Sequence, residues 1–259
     1  MKSGRHQQRA VILGRVNYGE ADLIVSFLTR DLGKISGIAK HGRKSRKRFG
    51  NVISPGALVE LTFTVKTGRE LVILESGELV RAFENLAQDV TLLARAGLAL
   101  ELTEAFCAAQ DPAENIFQLL NWGLDRFDRH ARPEEAMFLF LLKMLQLSGF
   151  GPNVSTCPVC GKKVEPGRPG SLKCEPGGLV CDDCSPGGFT ASPGTIRMMA
   201  LVQSLGPDKM DRPRVGEQVL REAGPFLMSF IRGLLGRDLK AACFLEKIEG
   251  DRAARPSGI

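Results

Sequence analysis

ADLIVSFLTRDLGKISGIAK, residues 21–40, contains the pattern that separates the first third of the chain from the rest. Ala21–Thr29 is rich in apolar and β-branched residues, the composition of a strand. A turn follows, with Gly33 free to take positive φ, and Lys34–Lys40 reads as a second strand. Upstream, Gln8–Val16 (QRAVILGRV) is another strand, joined to the first by the polar turn NYGE. Downstream, ALVELTFTVK (Ala57–Lys66) and ELVILESGELV (Glu70–Val80) pair around Thr67-Gly68-Arg69, and Glu60 to Val65 alternates as a half-buried strand does. Five strands with one long connection predict a small closed barrel of the OB-fold type. An SH3-like barrel is the structural alternative.

The long connection is unusual. Lys40–Arg48 holds six cations, Lys40, Arg43, Lys44, Arg46, Lys47 and Arg48, and no acid. Only Phe49, at the edge of the run, is large and apolar, so the segment is not expected to build a core. Residues 1–82 carry 15 Lys+Arg against 7 Asp+Glu, a net of +8, whereas the whole chain is +6. The entire basic excess therefore lies in the barrel. A solvated charged loop is the ordinary fate of such a run. The glycines around it (Gly37, Gly42, Gly50), the absence of acids and the barrel context favour contact with a phosphate backbone. Aromatic residues are few here, so the contact is expected to be mainly electrostatic and largely independent of sequence.

From Leu86 the apolar period becomes helical. Asp111-Pro112-Ala113-Glu114 reads as an N-terminal cap for a helix carrying Ile116, Phe117, Leu119, Leu120, Leu124 and Phe127. Pro133 opens a helix that is apolar on most sides and is therefore expected to be central. Ser192-Pro193 caps a helix over Thr195–Leu205, and two more follow, Val215–Leu235 and Leu239–Glu249. The tail from Asp251 is expected to be disordered.

Between these helices lies a segment rich in Gly and Pro with five of the seven cysteines. Cys157 and Cys160 form one C-x-x-C pair, Cys181 and Cys184 a second, with twenty residues between them. This is zinc-ribbon spacing: each pair clamps one edge of a tetrahedral ion. Four thiolates leave no open position for an activated water, so the expected metal is structural Zn2+. Cys174 is a nearby fifth thiol, read as a partly buried hairpin residue. Cys107 and Cys243, on helices with apolar neighbours, are read as core. The expected organisation is α+β: an OB-fold barrel over 1–82, an all-α domain from 83–149 and 192–250, an inserted zinc-ribbon-like module over 150–191, and a tail over 251–259.

No catalytic constellation is found. The chain has no P-loop and no G-x-S-x-G nucleophile pattern, and His6, His41 and His130 are far apart in sequence. Glu20 and Asp22 read as turn and strand-start residues. The polar N-terminus lacks a signal-peptide core, and the apolar run Ala136–Leu142 is too short to span a bilayer, so a cytoplasmic, non-enzymatic protein is expected.

In this order the pieces resemble the RecO family of bacterial recombination mediators. The resemblance is carried by NYGEADLIVSFLTRDLGKISGIAKHGRKSRKRFG (Asn17–Gly50), by Ala96–Phe127, by LLKMLQLSGFGPNVSTCPVCG (Leu141–Gly161) and by GGLVCDDC (Gly177–Cys184). It implies an OB-fold, a helical domain and an inserted zinc module. It also implies binding of single- and double-stranded DNA, annealing of complementary strands, and help in loading RecA onto DNA coated by single-strand binding protein (SSB). The partners it implies are RecR, in some members RecF, and the acidic C-terminal tail of SSB. Carried over by motif, the six loop cations are DNA-binding candidates and the four paired cysteines are metal ligands. His41 stands where the family usually has Gly. A second reading, a zinc-ribbon transcription or translation accessory factor binding RNA or protein, explains the ribbon and the loop but not the large helical domain.

Overall fold

The computed structural model describes residues 2–254 other than Asn51, Glu165, Pro166, Asp182, Ser185 and Pro186, and it leaves aside the side chains of Arg46 and residues 252–254. Five strands, β1 (Gly4–Tyr18), β2 (Asp22–Thr29), β3 (Gly33–Ala39), β4 (Leu58–Val65) and β5 (Val72–Arg81), close into a barrel of order β1-β2-β3-β5-β4. The closure places β3 beside β5 in parallel, Ile38 opposite Ile73, while every other pair is antiparallel. This is the expected OB-fold. β1 is longer than Gln8–Val16 because it serves two neighbours. Its first half pairs with β4, its second half with β2, and the register shifts between Ile12 and Gly14 as the strand bends from one to the other.

Alternation along the strands turns one face inward. Phe27, Phe63, Leu61 and Leu74 are buried in the barrel; a side chain of this size contributes about 1.5–3 kcal/mol when fully buried. The connection from β3 to β4 is not wholly a loop. Arg46–Phe49 forms one turn of helix, α1, and Phe49 is buried in the barrel core with Val52 and Ile53. The expectation that the segment contributes nothing to a core is corrected by that one side chain.

The chain forms two compact units, residues 1–130 and 131–259. The first adds α2 (Val90–Phe106) and α3 (Glu114–Asp128) to the barrel. Asp89 caps α2, accepting from the Thr91 N–H at 2.7 Å. The cap expected for α3 does not form: its N-cap is Ala113, without a side-chain bond. The preceding segment is drawn to the barrel instead. Ala109 bridges Lys34 in parallel, and the Gln110 N–H donates to the Lys34 carbonyl at 2.9 Å. The backbone bonds to the barrel end at Gln110, and the helix begins only at Glu114, past the expected cap residues.

In the second unit α4 (Pro133–Leu147) is buried from Glu135 to Leu145, as its pattern predicts, and packs on α5 (Pro193–Ser204) and α6 (Glu217–Leu235). Ser192 caps α5, and the Glu222 carboxylate on α6 accepts from the Ser192 N–H at 2.8 Å and the Thr195 hydroxyl at 2.5 Å. A three-stranded sheet of β6 (Gly170–Lys173), β7 (Gly178–Val180) and β8 (Phe189–Ala191), ordered β7-β6-β8, packs on α6 through Phe189 and Phe226. The last helix, α7 (Lys240–Ala254), runs through Asp251, so the first four residues of the expected tail are helical. Residues 255–259 lie outside the described residues. Cys243 is exposed rather than core: the buried residues here are Leu239, just before α7, and Ala242, the residue before Cys243 on the helix. Among the described residues no helix is long and apolar enough to cross a membrane.

Candidate nucleic-acid interface and metal centre

The basic loop is folded against the β1–β2 turn. The Asp22 carboxylate accepts from the His41 N–H at 2.7 Å, and His41 takes the left-handed conformation (φ 54°) at the start of the loop. Left-handed backbone disfavours most side chains, and this is the position where the resemblance expects Gly. The Arg43 N–H donates to the Ala21 carbonyl at 3.1 Å, and its guanidinium donates to the Glu20 carbonyl at 3.2 Å. Glu20 and Asp22 are therefore turn residues that hold the loop down.

The six candidates do not share one role. Arg48 is turned into the loop: it donates to the Lys40 carbonyl at 2.6 Å and to the Ser45 hydroxyl at 3.1 Å, with its guanidinium 5.1 Å from the Phe49 ring. Lys40 is exposed and stands 3.9 Å from the Asp22 carboxylate, a distance at which a solvated pair is weak. Arg43, Lys44 and Lys47 are exposed, and among the described residues no acidic side chain pairs with them. The side chain of Arg46 lies outside the described residues. The loop thus offers a cluster of solvated cations on a scaffold fixed by one arginine, one aspartate and one buried phenylalanine. The parts played by Arg48 and Phe49 were not foreseen from the sequence. The signal available was the single large apolar residue in a polar run.

In the second unit the two C-x-x-C pairs meet. The four Sγ atoms of Cys157, Cys160, Cys181 and Cys184 all lie within 4.8 Å of one another, and Cys160 Sγ is 3.7 Å from Cys181 Sγ. A tetrahedron with Zn–S bonds of about 2.3 Å has S···S edges of about 3.8 Å, so the observed separation fits. The first knuckle is closed by the Gly161 N–H on the Cys157 carbonyl (2.8 Å), with Gly161 at φ 73°, and the second by the Cys184 N–H on the Cys181 carbonyl (3.0 Å). The Cys157 thiol is drawn down to about 6, first by the Cys181 backbone N–H and next by that of Cys160. The Cys184 thiol is pushed up to about 12, first by its hydrogen bond with the Cys181 sulfur and next by Cys160. Sulfurs this close cannot all ionise unless a cation joins them. Cys174 is apart from the cluster and is half-buried, with its Sγ 3.5 Å from the Ser229 hydroxyl.

Two family descriptions match the chain: Recombination protein O N terminal over residues 1–83, and Recombination protein O C terminal over residues 87–242. The DNA repair protein RecO of Syntrophus aciditrophicus is 30% identical over 249 residues, covering 94% of this chain and 96% of that protein. That of Anaeromyxobacter dehalogenans is 33% identical over 247 residues, covering 94% and 97%. That of Syntrophotalea carbinolica is 31% identical over 252 residues, covering 96% and 97%.

Proposed function

This chain belongs to the RecO family of DNA repair proteins, and on that premise we propose that it is a non-enzymatic recombination mediator. It binds single- and double-stranded DNA, anneals complementary strands and assists RecA loading on SSB-coated DNA. The observation that carries this reading is the cluster of exposed cations, Lys40, Arg43, Lys44 and Lys47, held on an OB barrel by backbone bonds to the β1–β2 turn. Annealing needs no fuel under this account. Two strands repel through their phosphates, and a basic surface that screens both lowers the cost of bringing them together. Arg46 is carried with the same group by its place in the run. Arg48 contributes by shaping the loop.

Cys157, Cys160, Cys181 and Cys184 would hold a structural Zn2+, which ties the segment before β6 to the segment after β7. Four sulfur ligands fill a tetrahedral ion, and its chemistry there is cross-linking. RecR, the SSB C-terminal tail, and in addition RecF and RecA are the proposed partners, and the proposed place of work is nucleoid DNA in the cytoplasm.

The test is annealing of complementary strands pre-coated with SSB, without ATP. Wild type is compared with a variant carrying Arg43→Gln, Lys44→Gln, Arg46→Gln and Lys47→Gln. Wild type is expected to anneal and the variant to lose most of that activity while keeping its fold by circular dichroism. Failure of wild type to anneal, with binding to RNA retained, would overturn the reading in favour of an RNA-binding accessory factor.

A further inference from the structure

We infer that the cysteine cluster is an oxidant-sensitive site, at which hydrogen peroxide joins Cys181 to Cys160 and the metal ion is released; this rests on the proposed Zn2+ ligation. The four sulfurs are not equally sheltered. Cys157 is 1% exposed, Cys181 and Cys184 are half-buried, and Cys160 is exposed. Cys181 also lines a pocket of about 110 Å3 with Lys162, Lys163, Arg168 and Asp183. Lys162 stands 3.7 Å from the Asp183 carboxylate, and both side chains are largely in solvent, so the pocket is reached from the surface. A water molecule takes up about 30 Å3, so a peroxide fits beside the sulfur. A cross-link needs neither an exposed ligand nor a pocket that reaches a second one. This cluster has both, and Cys160 Sγ and Cys181 Sγ are only 3.7 Å apart.

Metal ligation keeps a cysteine as its thiolate, and the thiolate is the nucleophile in sulfur oxidation. Susceptibility then follows access, which the pocket gives to Cys181. Its thiolate attacks one peroxide oxygen. An S–O bond forms, the O–O bond breaks, and hydroxide leaves into a pocket lined by Lys162, Lys163 and Arg168, whose charge stabilises it. The Cys160 thiolate then attacks the sulfenic sulfur. An S–S bond replaces the S–O bond and a second hydroxide leaves. Two thiolates have each lost one electron and the peroxide has gained both. Cys157 and Cys184 remain, too few to fill a tetrahedral site, and the ion departs. The disulfide spans the same two segments as the ion did, one before β6 and one after β7, so the module stays tied and a thiol reductant restores the ligands. Cys174 lies against Ser229, apart from the cluster, and takes no part.

The experiment treats the full zinc-loaded chain with hydrogen peroxide and follows the metal with a chromophoric chelator. Release is expected to reach about one ion per peroxide consumed, and peptide mapping without reductant should find Cys160 joined to Cys181. Reductant with added zinc should return the melting temperature to its starting value. Lys163→Gln with Arg168→Gln leaves all four cysteines in place, so zinc content should be unchanged while release slows several-fold. Cys174→Ser should release zinc at the wild-type rate. Zinc retained under excess peroxide overturns this inference and leaves the structural ion standing. A disulfide within either C-x-x-C pair, or one made with Cys174, overturns the pairing assigned here. Release from the double variant at the wild-type rate overturns attack from the pocket. A chain that purifies without zinc overturns the proposed ligation itself, and this inference with it.

Discussion

Phe49 follows directly on the last cation of the run, and it reaches the opposite environment. Its ring is 2% exposed inside the barrel, while Lys47, two residues earlier, is in solvent. The helical turn Arg46–Phe49 makes this possible, because it carries the backbone round between the two residues. Phe49 therefore anchors the basic loop, and Arg48 closes it through the Lys40 carbonyl. Phe49→Ala is expected to cost about 3–5 kcal/mol of stability, the range for emptying a buried aromatic site, measured by urea denaturation. It removes no charge, yet DNA affinity should fall several-fold at low denaturant because the cations lose their common scaffold. Unchanged affinity in a destabilised variant would show that the loop binds as a flexible polycation. These roles were illegible in the sequence. A charge run is read by composition, whereas the fate of its one apolar neighbour depends on a barrel interior built by residues up to forty positions away.

At the scale of elements, local signals carried most of the reading. Alternating strands, tight turns and paired cysteines are short-range patterns, and the barrel, α4, the Ser192 cap and the meeting of the two knuckles were all visible from them. What failed depended on tertiary choice. Asp111 and Pro112 look like a cap, but they follow directly on residues bonded to β3 and the helix starts beyond them, at Glu114. Cys243 has apolar neighbours, but packing at the start of α7 buries Leu239 and Ala242 and leaves Cys243 exposed. The cysteine module joins the two kinds of information, since the C-x-x-C knuckles are local and their meeting is not. Cys181→Ser removes a proposed ligand whose sulfur lies 3.7 Å from that of Cys160. The variant should retain clearly less zinc after dialysis and melt several degrees lower, because a closed metal site contributes folding energy. Loop-dependent DNA binding should persist, as the basic run belongs to the other compact unit. Full zinc retention would mean that Cys174 has entered the site or that the ligand set is different.

Across the whole molecule the charge is divided: the first 82 residues hold a net of +8 and the rest a net of −2. If DNA binding were a property of overall basicity, a net of +6 spread over 259 residues would give a weak and diffuse interaction. Concentration of the excess on one loop predicts a defined number of phosphate contacts. Neutralising four to six phosphates of a single strand gives a slope of log affinity against log salt of roughly −3 to −4, and a fourfold rise in salt then lowers affinity roughly 60- to 250-fold. Replacing Arg43, Lys44, Arg46 and Lys47 with Gln should shrink the slope to about −1 or less, because each cation removed eliminates one counterion-release event. Arg48→Gln alone should behave differently. Its guanidinium is engaged with the Lys40 carbonyl and the Ser45 hydroxyl, so affinity should drop through loss of loop shape while the slope shifts by less than one. Titrations of wild type and both variants across a salt series separate the two effects. A wild-type slope near zero would place the source of affinity outside the loop. An equal slope for the four-fold variant would move the phosphate path to other cations of the barrel, such as Arg5 and Arg9 on β1.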